Sequence, residues 1–97
     1  MKHRYWVYIL TNKNKTTLYV GVTRGLEIRV EQHTNNAGKL KTFAGRYNCH
    51  HLVYFEEHQY IDKAIKREKQ LKAWPRADKV ALIEGVNPDW VFLDPPW

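Results

Sequence analysis

Much about this chain is set by what it lacks. There is one cysteine, Cys49, so no internal disulfide is possible, and a cytoplasmic setting is the simplest expectation. No apolar run is long enough to span a bilayer, which argues against a membrane protein. The start, Met1-Lys2-His3-Arg4-Tyr5-Trp6, is charged, but no signal-like apolar segment with a small-residue cleavage site follows it. No paired CxxC spacing is present. There is no internal repeat and no sign of a second domain, and 97 residues suffice for one modest core. The expectation is a single domain over 1–97, with 92–97 a loose tail. Acids are also scarce, 10 against 16 lysines and arginines, for a net charge of +6. That imbalance favours an anionic partner, nucleic acid ahead of a membrane surface, although many small basic proteins are simply soluble.

What is present reads as short elements. Residues 5–10 (Tyr-Trp-Val-Tyr-Ile-Leu) and 18–23 (Leu-Tyr-Val-Gly-Val-Thr) are strand-like, joined by a polar, turn-rich segment. That connection is too short for a parallel crossover, so the two form a hairpin. A residue 8 to 19 pairing would put Tyr8 and Tyr19 on one face; the sequence does not fix the register. Residues 25–35 read as a helix stopped by Asn35-Asn36-Ala37-Gly38. Residues 39–47 form a basic loop, and residues 51–57 a third strand. Asp62 is the expected N-cap of a helix running to about Ala73, with Pro75 marking its end. A shorter helix over about 77–84 is expected to stop at Gly85. The order β-β-α-β-α-α makes an α+β fold, a small three-stranded, mainly antiparallel sheet flanked by helices.

Two helices carry polar residues where apolar ones belong. In the later helix Ile61, Ala64, Ile65 and Leu71 follow helical spacing and predict its buried stripe. Glu68 falls near the middle of that stripe. A carboxylate there must be neutral, paired with a cation such as Arg29, or bound to a metal. In the earlier helix Leu26 and Val30 mark the inner side. Arg29 and His33 flank it as an i,i+4 pair able to reach one phosphate together. A lone histidine or arginine in such a place is usually structural. Two helices presenting Arg, His and Glu toward a sheet with two tyrosines suit metal-assisted phosphodiester cleavage.

On these residues the chain resembles the GIY-YIG endonuclease family. The matching runs are Trp6-Val7-Tyr8 and Tyr19-Val20-Gly21, followed by Gly21-Val22-Thr23, Arg29 and His33. Glu68, within Arg67-Glu68-Lys69-Gln70-Leu71, matches the family's metal-binding glutamate. Trp6 stands where the motif has its first glycine, and Val20 where it has isoleucine. The Leu52-Val53-Tyr54 strand and the Asn87-Pro88-Asp89-Trp90 tail are similar to the small stand-alone bacterial branch. The resemblance implies a Mg²⁺ ion, with Mn²⁺ a possible substitute, held by Glu68, water and the scissile phosphate. It implies DNA cleavage to 5′-phosphate and 3′-hydroxyl ends. Tyr8 is the candidate base, and a phenol titrating near pH 10 in water needs nearby cations for that task. Tyr19 would position the water, Arg29 grip the phosphate, and His33 hydrogen-bond a tyrosine or the phosphate.

For nucleic-acid contact the candidates are Lys39, Lys41, Arg46 and Tyr47 of the basic loop, where Phe43 and Tyr47 are placed to stack on exposed bases. The helix face with Lys63, Lys66, Lys69 and Lys72 is a further candidate; a solvated charged surface explains most such runs. One domain without a recognition module favours single-stranded, flapped or branched DNA over a specific duplex site. No obligate protein partner is indicated. Two rival readings stand beside the nuclease. One is a non-catalytic nucleic-acid-binding module that keeps the fold. The other is a zinc site from Cys49, His50, His51 and His58 or His33, disfavoured because consecutive strand residues cannot all point inward.

Overall fold

The computed structural model describes residues 4–24 and 49–94. The expected helix over 25–35 and the basic loop 39–47 lie outside them, and so do Arg29, His33, Lys39, Lys41, Arg46 and Tyr47. Strands β1 (Tyr5–Thr11), β2 (Leu18–Thr23) and β3 (His51–His58) form an antiparallel sheet in the order β2-β1-β3. Helices α1 (Ile61–Ala73) and α2 (Arg76–Val86) follow. The α+β class and the antiparallel sheet agree with the sequence reading.

Strand β1 is central, which explains its composition. It pairs on both edges and is covered on both faces, so Trp6 through Thr11 are all buried and apolar residues run without polar alternation. The β1–β2 loop is tied by Asn12, whose Oδ1 accepts from the backbone N–H of Thr16 at 2.8 Å and of Thr17 at 3.1 Å. Val7, Ile9 and Val20 meet α1 and α2 through Ala64, Leu71 and Ile83. The opposite face carries Trp6, Tyr8, Leu10 and Leu52 with Cys49, bordered by Tyr19, Phe55 and Leu93. A bulge in β3 opposite Ile9 and Leu10 serves both faces. It puts Val53 and Tyr54 on the helix side while Leu52 faces the other way.

Helix boundaries differ from expectation at two points. Tyr60, extended at φ −119° and ψ 135°, precedes α1, and Asp62 lies inside the first turn with no capping bond. Its charge there still complements the helix dipole. Pro75 does stop α1, through the residue before it: Trp74 is forced out of helical geometry to ψ 146°. Helix α2 runs through Gly85, whose surroundings are open, and ends at Asn87. Within the segment expected to be loose, Phe92 and Leu93 make contacts with β3. The backbone N–H of Leu93 donates to Leu52 O at 2.7 Å, and Phe92 stacks on His51 at 4.0 Å.

A polar cluster fixes the rotation of α1 about its axis. Glu56 of β3 accepts from Arg67 Nε at 2.7 Å and from the Tyr54 hydroxyl at 3.0 Å. Arg67 also donates to Gln70 Oε1 at 2.9 Å and lies over the Trp74 ring. Burial, reinforced by the Glu56 charge, pushes the Tyr54 hydroxyl up to about 12. Burial likewise pushes the Cys49 thiol up to about 11. Both groups hold their protons more tightly folded than unfolded. Their contribution is therefore complete below the unfolded values and is lost as pH rises through the folded ones. The melting temperature should fall between about pH 9 and 12. Cys49→Ala should flatten the earlier part of the fall and Tyr54→Phe the later part, read from thermal scans across that range.

Candidate active site along strand β2

The site begins with a missing side chain. Tyr8 of β1 pairs directly with Gly21 of β2. Residues so paired bring their Cβ atoms to about 5 Å, and a side chain opposite would hold the ring back. Gly21 has none, and Tyr8 leans over it. A Cβ built on Gly21 would overlap Tyr8 Cζ and Oη. The glycine is needed here for space. The phenol tip thus crosses from the central strand to the edge strand while Tyr8 stays 1% exposed. Tyr19 pairs with Leu10, two residues from the 8 to 19 register considered above. The parity is unchanged, so both tyrosines occupy one face, their rings 6.4 Å apart and tilted by 41°. Trp6 packs edge-on against Phe55 at 5.8 Å, on the β3 side of Tyr8, and leaves the β2 side clear of its ring.

Helix α1 approaches β2 from the other face of the sheet. Ala64 and Leu71 are its buried contacts. Ile61 and Ile65, expected in the buried stripe, are 46% and 38% exposed and lie on its flank. Glu68 sits between the core row and that flank, its side chain 16% exposed. Its carboxylate has a partner, Lys72 Nζ at 3.2 Å, one helical turn on. Such an i,i+4 pair with a half-exposed lysine contributes only about 0.3–0.5 kcal/mol, little enough to yield to another cation. Lys72 also lines a cavity of about 290 Å³ with Leu18, Tyr19, Val20 and Lys79. Strand β2 is therefore the shared element, with the tyrosine pair on one face and the Glu68 flank of α1 against the other.

The donor set limits which metal fits. Among the described residues no group of three His, Cys, Asp or Glu could hold an ion. Cys49 Sγ faces Thr17 O at 3.7 Å, and the His50 and His51 rings lean on each other at 4.1 Å. A closed zinc site is not built from these residues. A single carboxylate such as Glu68 could serve only an ion that keeps several waters, as Mg²⁺ does.

Comparison with known proteins agrees with this geometry. The sequence matches the family model of the GIY-YIG catalytic domain over residues 4–81. The chain belongs to the GIY-YIG family. It is 34% identical over 80 residues to a UPF0213 protein of Staphylococcus aureus strain Mu3, covering 82% of this chain and 94% of that one. The match to the UPF0213 protein SA0446 of strain N315 has the same extent. Its fold is similar to the solution NMR structure of the UPF0213 protein BH0048 from Bacillus halodurans. That likeness has a TM-score of 0.56 and 25% identity, over 90% of this chain and 89% of the other.

Within the GIY-YIG frame, the structure shows why the second motif ends in glycine: the tyrosine of the first motif occupies the space. It also gives Asn87 a structural task. Asn87 Nδ2 donates to Val53 O at 3.0 Å and Val91 O at 2.9 Å, and Oδ1 accepts from Val91 N–H at 3.0 Å. This buried amide clamps the tail to β3. The cavity of Lys72, Lys79 and Tyr19 was not foreseen, because Tyr19 lies 53 or more residues from either lysine and no sequence period links them.

Gly21→Ala should destabilise the fold by about 1–3 kcal/mol through overpacking against Tyr8. In a Tyr8→Ala background the same change should cost much less. Urea denaturation of the four proteins in this cycle measures the coupling, expected to exceed about 1 kcal/mol.

Proposed function

We propose that this chain is a Mg²⁺-dependent endonuclease that hydrolyses DNA phosphodiester bonds, with single-stranded or structured DNA favoured. Its products would carry 5′-phosphate and 3′-hydroxyl ends, and it would act in the cytoplasm. The observation that carries this reading is the placement of Tyr8 over Gly21, beside Tyr19, on the strand that also borders the Glu68 flank of α1. Tyr8 takes a proton from the attacking water. The phenol is buried, so a nearby positive charge acts on it with little screening. Tyr19 orients that water. Arg29 grips the phosphate as negative charge builds, and His33 hydrogen-bonds a tyrosine or the phosphate. Glu68, whose carboxylate contacts Lys72 at 3.2 Å, would hold the cation. The bound ion supplies Lewis-acid stabilisation of the leaving oxygen.

Purified protein with Mg²⁺ or Mn²⁺ should nick single-stranded or branched DNA. Glu68→Ala should slow this by at least about 100-fold, the scale expected when a group serving the transition state is lost. Metal-free binding should survive in that variant. DNA left uncut in single-stranded, branched and duplex forms would point instead to a non-catalytic binding module.

A further inference from the structure

Helix α1 carries Lys63, Lys66, Lys69 and Lys72 at intervals of three. Each step of three residues turns about 60° short of a full revolution and rises about 4.5 Å. The row therefore crosses the helix obliquely. It starts on the β3 flank, passes over the outer surface, and ends on the β2 flank about 14 Å along the axis. The contacts at its two ends agree with this path. Lys63, Lys66 and Lys69 line an open groove of about 630 Å³ with His58, Arg67 and Gln70. Lys72 lines the cavity beside Tyr19.

The first three lysines are exposed, while the acids nearest the groove are mostly engaged. Glu56 is held by Arg67 and Tyr54, Glu57 lies 3.5 Å from Arg4, and Glu68 holds Lys72. Asp62 is the one exposed acid of the first turn. Among the described residues no acid lines the groove. The result is a continuous cationic path from the β3 side of α1 to the tyrosine-bearing strand.

We propose that this row is the track for the sugar-phosphate backbone of a single nucleic-acid strand leading to or from the β2 site. The inference rests on the nucleic-acid reading above and adds the surface that carries the strand. Charge complementarity selects the occupant. The curvature of the path selects its flexibility: Lys63 to Lys69 span about 120° of the helix circumference. A duplex, with a persistence length of about 50 nm, is too stiff to follow that turn and meets one flank only. A single strand can follow it.

The test is binding of a fluorescein-labelled single-stranded oligonucleotide of mixed sequence, followed by anisotropy over a range of salt without divalent metal. Each phosphate contact on a single strand contributes about 0.7 to the slope of log K against log salt. The variant Lys63→Gln/Lys66→Gln/Lys69→Gln should reduce that slope by about 2, and the fall should be smaller on a blunt duplex of equal length. The corresponding triple arginine variant should retain the wild-type slope. An unchanged slope in the glutamine variant would overturn the proposal, as would an equal fall on duplex and single strand. Should the triple variant fold poorly, Lys69→Gln alone should lower the slope by about 0.7, and no change there would equally overturn it. Binding is read without metal, so the two readings fail separately: a fall in slope in a protein that leaves DNA uncut when Mg²⁺ or Mn²⁺ is supplied would sustain the track and sink the nuclease reading.

Discussion

The close approach of Tyr8 to Gly21 is the contact on which the rest of the arrangement depends. It needs the β1–β2 register to pair residue 8 with residue 21, and no other register puts a glycine beneath that ring. A slip by one residue would send Tyr8 into the helix-side core and Val7 and Ile9 out of it. The contact also brings a phenol from the middle of the sheet to its edge. Tyr19 can then stand beside it on the same face, because an odd residue on β2 pairs with an even one on β1. Backbone pairing, core formation and the tyrosine pair thus share one geometric condition.

Helix α1 answers to a second condition, its rotation. Ala64 and Leu71 below and the Arg67–Glu56 contact on the β3 side fix which face looks where. With those held, Glu68 emerges toward β2, paired weakly enough with Lys72 to accept another cation. The same rotation lays out the lysine row on the outer surface. Asn87 anchors the segment after α2 to β3, completing the frame.

The sequence made much of this legible, for identifiable reasons. The strands were readable because aromatic and β-branched runs ended at polar turns. Glu68 was readable because one carboxylate in an apolar helical stripe is conspicuous at a period of 3.6. The motif pair Trp6-Val7-Tyr8 and Tyr19-Val20-Gly21 pointed to the family to which the chain belongs. Register was not readable, since pairing 8 with 19 and pairing 8 with 21 satisfy the same alternation. Helix ends were misjudged where a local signal lost to a tertiary one. Asp62 yielded the start to an extended Tyr60, and Gly85 yielded the stop to buried Asn87. Ile61 and Ile65 were assigned to the buried stripe by helical spacing, but the packing contact is narrower, through Ala64 and Leu71, and leaves both isoleucines on the flank beside Glu68. The cavity uniting Lys72, Lys79 and Tyr19 arises only when a helix late in the chain is laid against an early strand.

The central claim is that a cation held by Glu68 acts beside the tyrosine pair at β2. Paramagnetic broadening tests it directly. Mn²⁺ is titrated at substoichiometric levels into isotope-labelled protein carrying a short single-stranded oligonucleotide with non-hydrolysable linkages. The Glu68 and Lys72 amides should broaden together with the ring resonances of Tyr8 and Tyr19 and the Gly21 amide, and Glu68→Ala should abolish the effect. Broadening centred elsewhere, or persisting unchanged in Glu68→Ala, would contradict the account.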